Sequence, residues 1–153
     1  MIQFEPLTTA NIGIIVKMMQ DFYGIDNYPI EKTITTSLFQ EFIADQKLGK
    51  AFLLLNTEEG KKEEVIGYLI LTFIFSFEYK GKIAFLDELY IKEGFRGKGI
   101  GSKTIFFIKE EVKKLDLQLL YLEVEKHNEN AQKLYLANGF EWHNRKFMKY
   151  KSQ

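Results

Sequence analysis

Eight residues, Phe95-Arg96-Gly97-Lys98-Gly99-Ile100-Gly101-Ser102, concentrate the features that bind a phosphate group. Three glycines at alternate positions leave a backbone that a bulky ligand can approach closely. If the loop opens a helix, unpaired N–H donors and the positive end of the helix dipole point at the same place. Arg96 and Lys98 add positive charge on either side of Gly97. A pyrophosphate cradle between a strand and a helix is one reading; a tight turn whose glycines serve only chain geometry is the other. Just upstream stand two adjacent carboxylates, Asp87 and Glu88, in an otherwise apolar run.

Other phosphate-loop patterns fit less well. A P-loop requires Lys-Ser/Thr directly after its final glycine, whereas Gly94 to Gly99 is followed by Ile100-Gly101. A dinucleotide fingerprint requires a third Gly or Ala where Ser102 stands, in the opening strand–helix unit of a parallel sheet.

The whole chain narrows the chemistry. Its 153 residues suffice for one compact domain with a sizeable core. Lys+Arg and Asp+Glu both number 21, so no overall basic field recruits nucleic acid or anionic lipid. With no cysteine, disulfides, thiolate metal sites and a Cys nucleophile are absent. Two histidines far apart in sequence argue against a His-based metal site. The N-terminus has no secretory pattern, and the most apolar run, residues 65–77, is too short to span a bilayer, so a cytoplasmic protein is expected.

The elements that must position these residues follow from periodicity. Ile2 to Glu5 reads as a short strand. Ile12, Ile15, Met19 and Phe22 mark a first helix, ended by Gly24. Ile30, Ile34, Leu38 and Phe42 form the apolar stripe of a second. Lys50 to Asn56 is a second strand and Val65 to Glu78 a third, with Leu69, Leu71, Phe73, Phe75 and Phe77 on one wholly apolar side. A turn at Tyr79-Lys80-Gly81-Lys82 makes the fourth strand, Ile83 to Ile91, antiparallel to the third; Asp87 and Glu88 cannot share a face of a regular strand there. After the glycine loop, a helix through Ile100, Thr104, Ile108, Val112 and Leu115 leads to a fifth strand, Leu119 to Glu125, parallel to the fourth. Asn128 caps a last helix that Gly139 ends, and Phe140 to Tyr150 is expected to supply one or two closing strands.

In this order, three local signatures resemble the GNAT superfamily of N-acetyltransferases. Arg96-x-x-Gly99-x-Gly101 matches that family's acyl-CoA pyrophosphate motif, [Gln/Arg]-x-x-Gly-x-[Gly/Ala]. Asn128-Glu129-Asn130-Ala131 is followed by Tyr135, seven residues after Asn128, and Asn138-Gly139-Phe140 ends the helix. The resemblance implies a single α/β domain spanning residues 1–153. Its mixed, mostly antiparallel sheet has strands four and five parallel and helices on both faces. It implies acetyl-CoA as co-substrate, with no metal. The backbone of Arg96, Gly97, Lys98, Gly99, Ile100, Gly101 and Ser102 would hold the pyrophosphate, the main chain of Leu89, Tyr90 and Ile91 the pantetheine arm, and Asn128 a further contact. A main-chain N–H near Leu89 would stabilise negative charge developing on the thioester oxygen.

The same resemblance implies direct transfer to a primary amine in a ternary complex, since no cysteine can carry an acyl group. An alkyl ammonium with a pKa of about 10.4 must first lose a proton. Asp87 is the leading base, Glu88 the second, with Glu123 or a water chain as further choices. Tyr135 corresponds to the family's general acid for the departing thiolate. The acceptor region would contain Tyr23, Tyr28 and Glu78 beside the two carboxylates, with Asp21 and Asp26 nearby, a lining suited to a small cationic amine. The segment Phe85-Leu86-Asp87-Glu88-Leu89-Tyr90 is similar to that of spermidine/spermine acetyltransferases. The alternatives are a non-catalytic acyl-CoA-binding regulatory module, or an acetyltransferase acting on protein lysines or N-termini. Strand addition at the closing hairpin would make a homodimer.

Overall fold

The computed structural model describes residues 1–153, whose backbone groups into two compact units, Met1–Glu123 and Val124–Gln153. The first unit is built on a five-stranded sheet in the order β1-β2-β3-β4-β5, comprising β1 (Ile2–Pro6), β2 (Gly49–Asn56), β3 (Glu64–Ser76), β4 (Gly81–Ile91) and β5 (Leu120–Leu122). The first three pairings are antiparallel, while β4 and β5 run parallel, as the intervening helix requires. The mixed sheet expected from the sequence is therefore observed, although β5 is shorter than Leu119 to Glu125.

Helices cover both faces. On one, α1 (Ile12–Ile25) and α2 (Lys32–Ala44) bury Ile15, Val16, Met18, Met19 and Phe39 against Leu53, Leu55, Tyr68, Ile70 and Tyr90. On the other lies α3 (Ile100–Lys114), whose Phe107 stacks on Phe4 with centroids 4.1 Å apart and meets Phe52 edge-on at 5.0 Å. Thr104 is fully buried on α3 and bonds its hydroxyl to the Ile100 carbonyl at 2.8 Å, which meets its polar requirement inside the helix.

Periodicity located the elements better than it located their buried faces. The stripe Ile30, Ile34, Leu38 and Phe42 does not face the core along its length: Ile34 and Leu38 are 54% and 57% exposed, and the buried positions of α2 are Thr35 and Phe39. On β3, Leu69 and Leu71 are buried, but Phe75 is 69% exposed, and Phe77, which lies past the strand's end in the turn, is 90% exposed.

In the second unit, α4 (Glu129–Ala137) starts at Asn128, whose Oδ1 accepts the Ala131 N–H at 3.1 Å. Beyond it, Phe140 to Tyr150 forms neither of the expected closing strands: it carries no regular structure, with Trp142, Phe147, Met148 and Tyr150 exposed. Strand-type composition without a paired neighbour does not make a strand, and the sheet ends at β5. The hairpin on which strand addition between two copies was expected is thus not formed.

At Gly67 on β3 the backbone of β4 comes close. A Cβ built there would stand 2.2 Å from the Tyr90 carbonyl oxygen, a backbone atom that cannot turn aside. Gly67→Ala should cost about 1–3 kcal/mol, at the upper end because the clash is with main chain; a lowered midpoint with unchanged slope in urea denaturation checks it.

Candidate active site

The register between β3 and β4 sets up the site. From the hairpin inward, Ser76 pairs with Gly81, Ile74 with Ile83, Thr72 with Phe85 and Leu71 with Leu86. The next pairs are Ile70 with Glu88, Leu69 with Leu89 and Tyr68 with Tyr90. The register shifts between Ile70 and Leu71, so Asp87 is an extra residue without its own partner on β3. Such a bulge reverses the inward–outward alternation of everything after it. Glu88 and Tyr90 are turned onto the face occupied by Ile70 and Tyr68, and Asp87 and Glu88 line the same cavity. The expectation that the two carboxylates take opposite faces holds for a regular strand, and β4 is irregular at that position.

The cavity has a volume of about 590 Å3 and lies between α1, α2 and the sheet. Its sheet side carries Ile70, Thr72, Asp87 and Glu88, with Tyr23 contributed by α1. Glu88 is clamped: the Tyr23 hydroxyl donates to Oε2 at 2.7 Å and the Tyr68 hydroxyl to Oε1 at 2.9 Å. Burial pushes the Glu88 carboxyl above its ordinary pKa, opposed by the two hydroxyl donors and reinforced by the charge of Asp87. Burial, then the bond and charge of Glu88, raises the Tyr23 phenol, and Tyr68 is raised from the same two sources, so both remain protonated donors. Asp87 is different. It makes no hydrogen bond or ion pair, stays accessible within the cavity, and is shifted upward by burial alone.

The other acidic and aromatic residues expected around the acceptor are more scattered. Tyr28 is half exposed and meets Tyr23 edge-on at 6.5 Å without lining the cavity. Glu78 is exposed in the β3–β4 turn, and Glu123 is exposed just past β5; neither lines the cavity. Asp21 pairs with Lys17 at 3.3 Å on the surface, and Asp26 ends α1. Sequence reasoning passed over Tyr68 and Thr72 as site residues. Counting back from the hairpin turn would have put both on the Asp87 face, since an unbroken register already pairs residue 70 with residue 87.

The glycine loop joins β4 to α3. Gly97 and Gly99 have φ of 74° and 76°, a left-handed conformation that favours glycine, and Gly99 is the N-cap of α3. A Cβ at either position would meet nothing within 4 Å, so the loop's surface lies open for a ligand to rest on the backbone. The first turn of α3, from Ile100, contributes the N–H groups that a helix leaves without intrahelical partners. Lys98 lies over the Phe95 ring at 5.5 Å. Arg96 folds back on β4: its Nε donates to the Ile91 carbonyl at 2.7 Å, and its guanidinium sits 5.6 Å from the Tyr90 ring centre. It fastens the loop to the strand.

On the β5 side, pairing covers only Ala84, Leu86 and Phe85 between them, so β4 from Asp87 to Ile91 has a strand partner on β3 alone. The main chain of Leu89 and Ile91 is thereby left without a strand partner on that side, the Ile91 carbonyl accepting from Arg96 Nε instead. The Tyr90 side chain is core, stacked on Phe22 at 5.4 Å. These residues and the α3 N-terminus suit a long ligand bound by main chain at one part and by phosphate at another, which is the chemistry of an acyl-CoA.

Within the second unit, the end of α4 explains Asn138-Gly139-Phe140. Gly139 is left-handed with φ of 89°, its N–H donates to the Leu136 carbonyl at 3.3 Å, and the Phe140 N–H reaches back to the Tyr135 carbonyl at 3.0 Å. This is a Schellman cap, and the hydrophobic contact that accompanies such caps is here the Phe140 ring against Tyr135, edge-on at 5.5 Å. Tyr135 is half buried, and burial pushes its phenol up to about 12, leaving it protonated at neutral pH.

The family model for the acetyltransferase (GNAT) family matches residues 16–140. The chain belongs to the GNAT acetyltransferase family. Among its relatives, thialysine N-epsilon-acetyltransferase of Bos taurus is 37% identical over 75 residues, covering 49% of this chain and only 44% of that enzyme. An uncharacterized N-acetyltransferase in the pepI 3' region of Lactobacillus delbrueckii subsp. lactis is 29% identical over 136 residues, 84% of this chain and 75% of the relative. Of solved structures, the integron cassette protein from the mobile metagenome of Cole Harbour Salt Marsh has a TM-score of 0.85 at 24% identity, covering 99% of this chain and 91% of that one. An aminoglycoside N-acetyltransferase, AAC(6')-Iy in complex with CoA, has a TM-score of 0.79 at 13% identity, over 100% and 96% of the two chains. No helix of the protein is long and apolar enough to cross a membrane.

The two tyrosine donors to Glu88 favour its ionised form. Tyr23→Phe removes one of them and should move the Glu88 titration to higher pH, measured as the carboxyl 13C shift of labelled protein.

Proposed function

We propose that the protein transfers an acetyl group from acetyl-CoA to the primary amine of a small cationic acceptor, directly and without an acyl-enzyme. The observation that carries this reading is the bulged β4, which turns Glu88 into the cavity beside Asp87 and runs on without a β5 partner to the glycine loop. Family membership supports acetyl transfer, and the thialysine enzyme's name supports an amine on a small molecule.

The donor is held by this chain's backbone in the reading: Arg96 to Ser102 around the pyrophosphate, and the edge of Leu89, Tyr90 and Ile91 along the pantetheine arm. The open space over Gly97 and Gly99 fits that assignment. Asn128, whose side chain caps α4, is a further contact carried over from the family motif. Acetyl-CoA supplies an activated acyl group. Asp87 takes a proton from the acceptor ammonium; it suits the task because it is unencumbered by hydrogen bonds and its pKa is raised towards neutrality by burial. Glu88 is already occupied by two hydroxyls and is better placed to hold the cation than to take its proton. The amine nitrogen forms a bond to the acetyl carbon, the carbon–sulfur bond breaks, and Tyr135 gives its proton to the departing thiolate. The remaining amine proton passes to solvent. The tyrosine's elevated pKa keeps that proton available.

Thiol release with acetyl-CoA and a pool of primary amines tests the reading. In the wild type, kcat/KM should fall with decreasing pH through a value above the usual carboxylate range, because the base must be ionised and burial raises its pKa. Asp87→Asn should remove that limb and lower kcat by about 10²–10⁴-fold, and Tyr135→Phe should lower kcat with little change in KM. Asp87→Asn should also be no less stable at neutral pH. A carboxyl group whose pKa is raised in the fold favours folding below its unfolded pKa and loses that contribution as pH rises through the folded value.

Gly101 lies in the first turn of α3 with no left-handed backbone to preserve. Gly101→Val should therefore keep the urea midpoint near that of wild type while raising the acetyl-CoA Kd by at least about tenfold, or 1.4 kcal/mol, in calorimetry. Equal loss of fold and binding would reduce the glycine loop to a structural turn.

A further inference from the structure

The wall opposite the carboxylates is apolar, and part of that apolar surface has no partner in the protein. Ile34 and Leu38 line the cavity from α2 yet keep more than half of their surface exposed, although α2 has buried positions at Thr35 and Phe39. Ile30, Phe39 and Phe42 continue the wall. The charged residues lining the cavity are Glu31, Asp87 and Glu88, with no lysine, arginine or histidine. Resting on the acetyltransferase reading, we infer that the acceptor is a singly charged primary amine attached to an apolar body, such as an alkyl or arylalkyl amine. A polyamine or a zwitterionic amino acid would not suit it.

Charge and burial each restrict the acceptor. The sheet side offers adjacent carboxylates that one ammonium group can satisfy. A second ammonium farther along the same ligand has only Glu31, at the start of α2, as a further carboxylate; along Ile34 and Leu38 it meets apolar side chains and no charged partner. An amino-acid carboxylate would enter a cavity whose fixed charges are all negative and find no cation to receive it. An apolar chain, by contrast, covers side chains that are otherwise left to water, and gains roughly a fourfold factor for each methylene buried. The reaction is unchanged: the nitrogen–acetyl bond forms, the carbon–sulfur bond breaks, and the ammonium proton goes to Asp87.

The test compares n-propyl, n-butyl, n-pentyl and n-hexylamine, 2-phenylethylamine, spermidine and thialysine, by thiol release with acetyl-CoA and by calorimetric binding to the full chain without it. Expected is a kcat/KM that climbs about threefold to fourfold per methylene across the alkyl series, with 2-phenylethylamine well above spermidine and thialysine. Leu38→Asp, at an exposed position, should keep the wild-type urea midpoint and flatten that climb. Turnover that is flat along the series, or that favours spermidine or thialysine, overturns the inference and leaves acetyl transfer standing. Binding that strengthens along the series with no thiol release from any amine does the reverse: the cavity assignment holds and the acetyltransferase reading falls. The absence of both binding and turnover for every alkyl amine overturns the inference outright.

Discussion

One extra residue in β4 governs the chemistry of the first unit. The hairpin fixes which β3 residue faces which β4 residue, and without the insertion of Asp87 the pairing would continue with residue 70 opposite residue 87 and residue 68 opposite residue 89. Glu88 would then project toward α3, among apolar side chains, where an unpaired carboxylate is costly. The bulge instead turns Glu88 toward Tyr23 and Tyr68, whose hydroxyls satisfy both of its oxygens. It also brings Tyr90 into the core against Phe22. A single backbone irregularity thus places two carboxylates at one cavity, and pairing with β5 stops at its other side. Bulges beside active sites re-aim side chains in this manner and end pairing.

How far the sequence revealed this depends on whether the governing constraint is local. Gly97 and Gly99 adopt a left-handed backbone, a requirement that each residue states by itself, so the loop and the helix it opens were legible. The same is true of Gly139, which ends α4 through a Schellman cap. The bulge leaves no such mark. Asp87 is not a glycine, no composition change surrounds it, and its displacement is set by register across two strands. Helical periodicity likewise grouped Ile34, Leu38 and Phe42 on one stripe of α2, with Ile30 just ahead of the helix, but could not say what the stripe faces, and all four residues line the cavity. The run from Phe140 to Tyr150 has strand composition, yet strand formation depends on a neighbouring edge that composition does not encode.

Tyr135 shows how a local motif can serve a distant requirement. The cap that ends α4 needs a left-handed residue at Gly139 and a hydrophobic side chain at the next position to close over the last turn. That side chain is Phe140, and what it closes over is Tyr135. The motif Asn138-Gly139-Phe140 therefore does more than stop a helix, since it also packs the Phe140 ring edge-on against Tyr135. Asn128 performs the complementary task at the helix start, where its side chain takes up the Ala131 N–H. Two signatures that read in sequence as separate family marks are the two ends of one nine-residue helix.

The two adjacent carboxylates are made unequal by what surrounds them, and that inequality suits them to different tasks in the proposed reaction. A base must be able to accept a proton, which requires a raised pKa and an accessible lone pair. Asp87 has both, since burial shifts it upward and no donor holds it. A cation anchor must stay ionised when the ligand arrives, which requires donors that favour the charged form. Glu88 has two, at 2.7 and 2.9 Å, working against its burial. Their proximity adds a coupling: the charge on Asp87 raises Glu88, and an ammonium entering between the cavity walls would relieve both. In the proposed reaction, binding of the cation would therefore stabilise the ionised form of Asp87 at the stage when it must be ready to take a proton. Loss of the acceptor's proton removes the charge that had stabilised it, and the carboxylate is then the more willing to keep what it has taken.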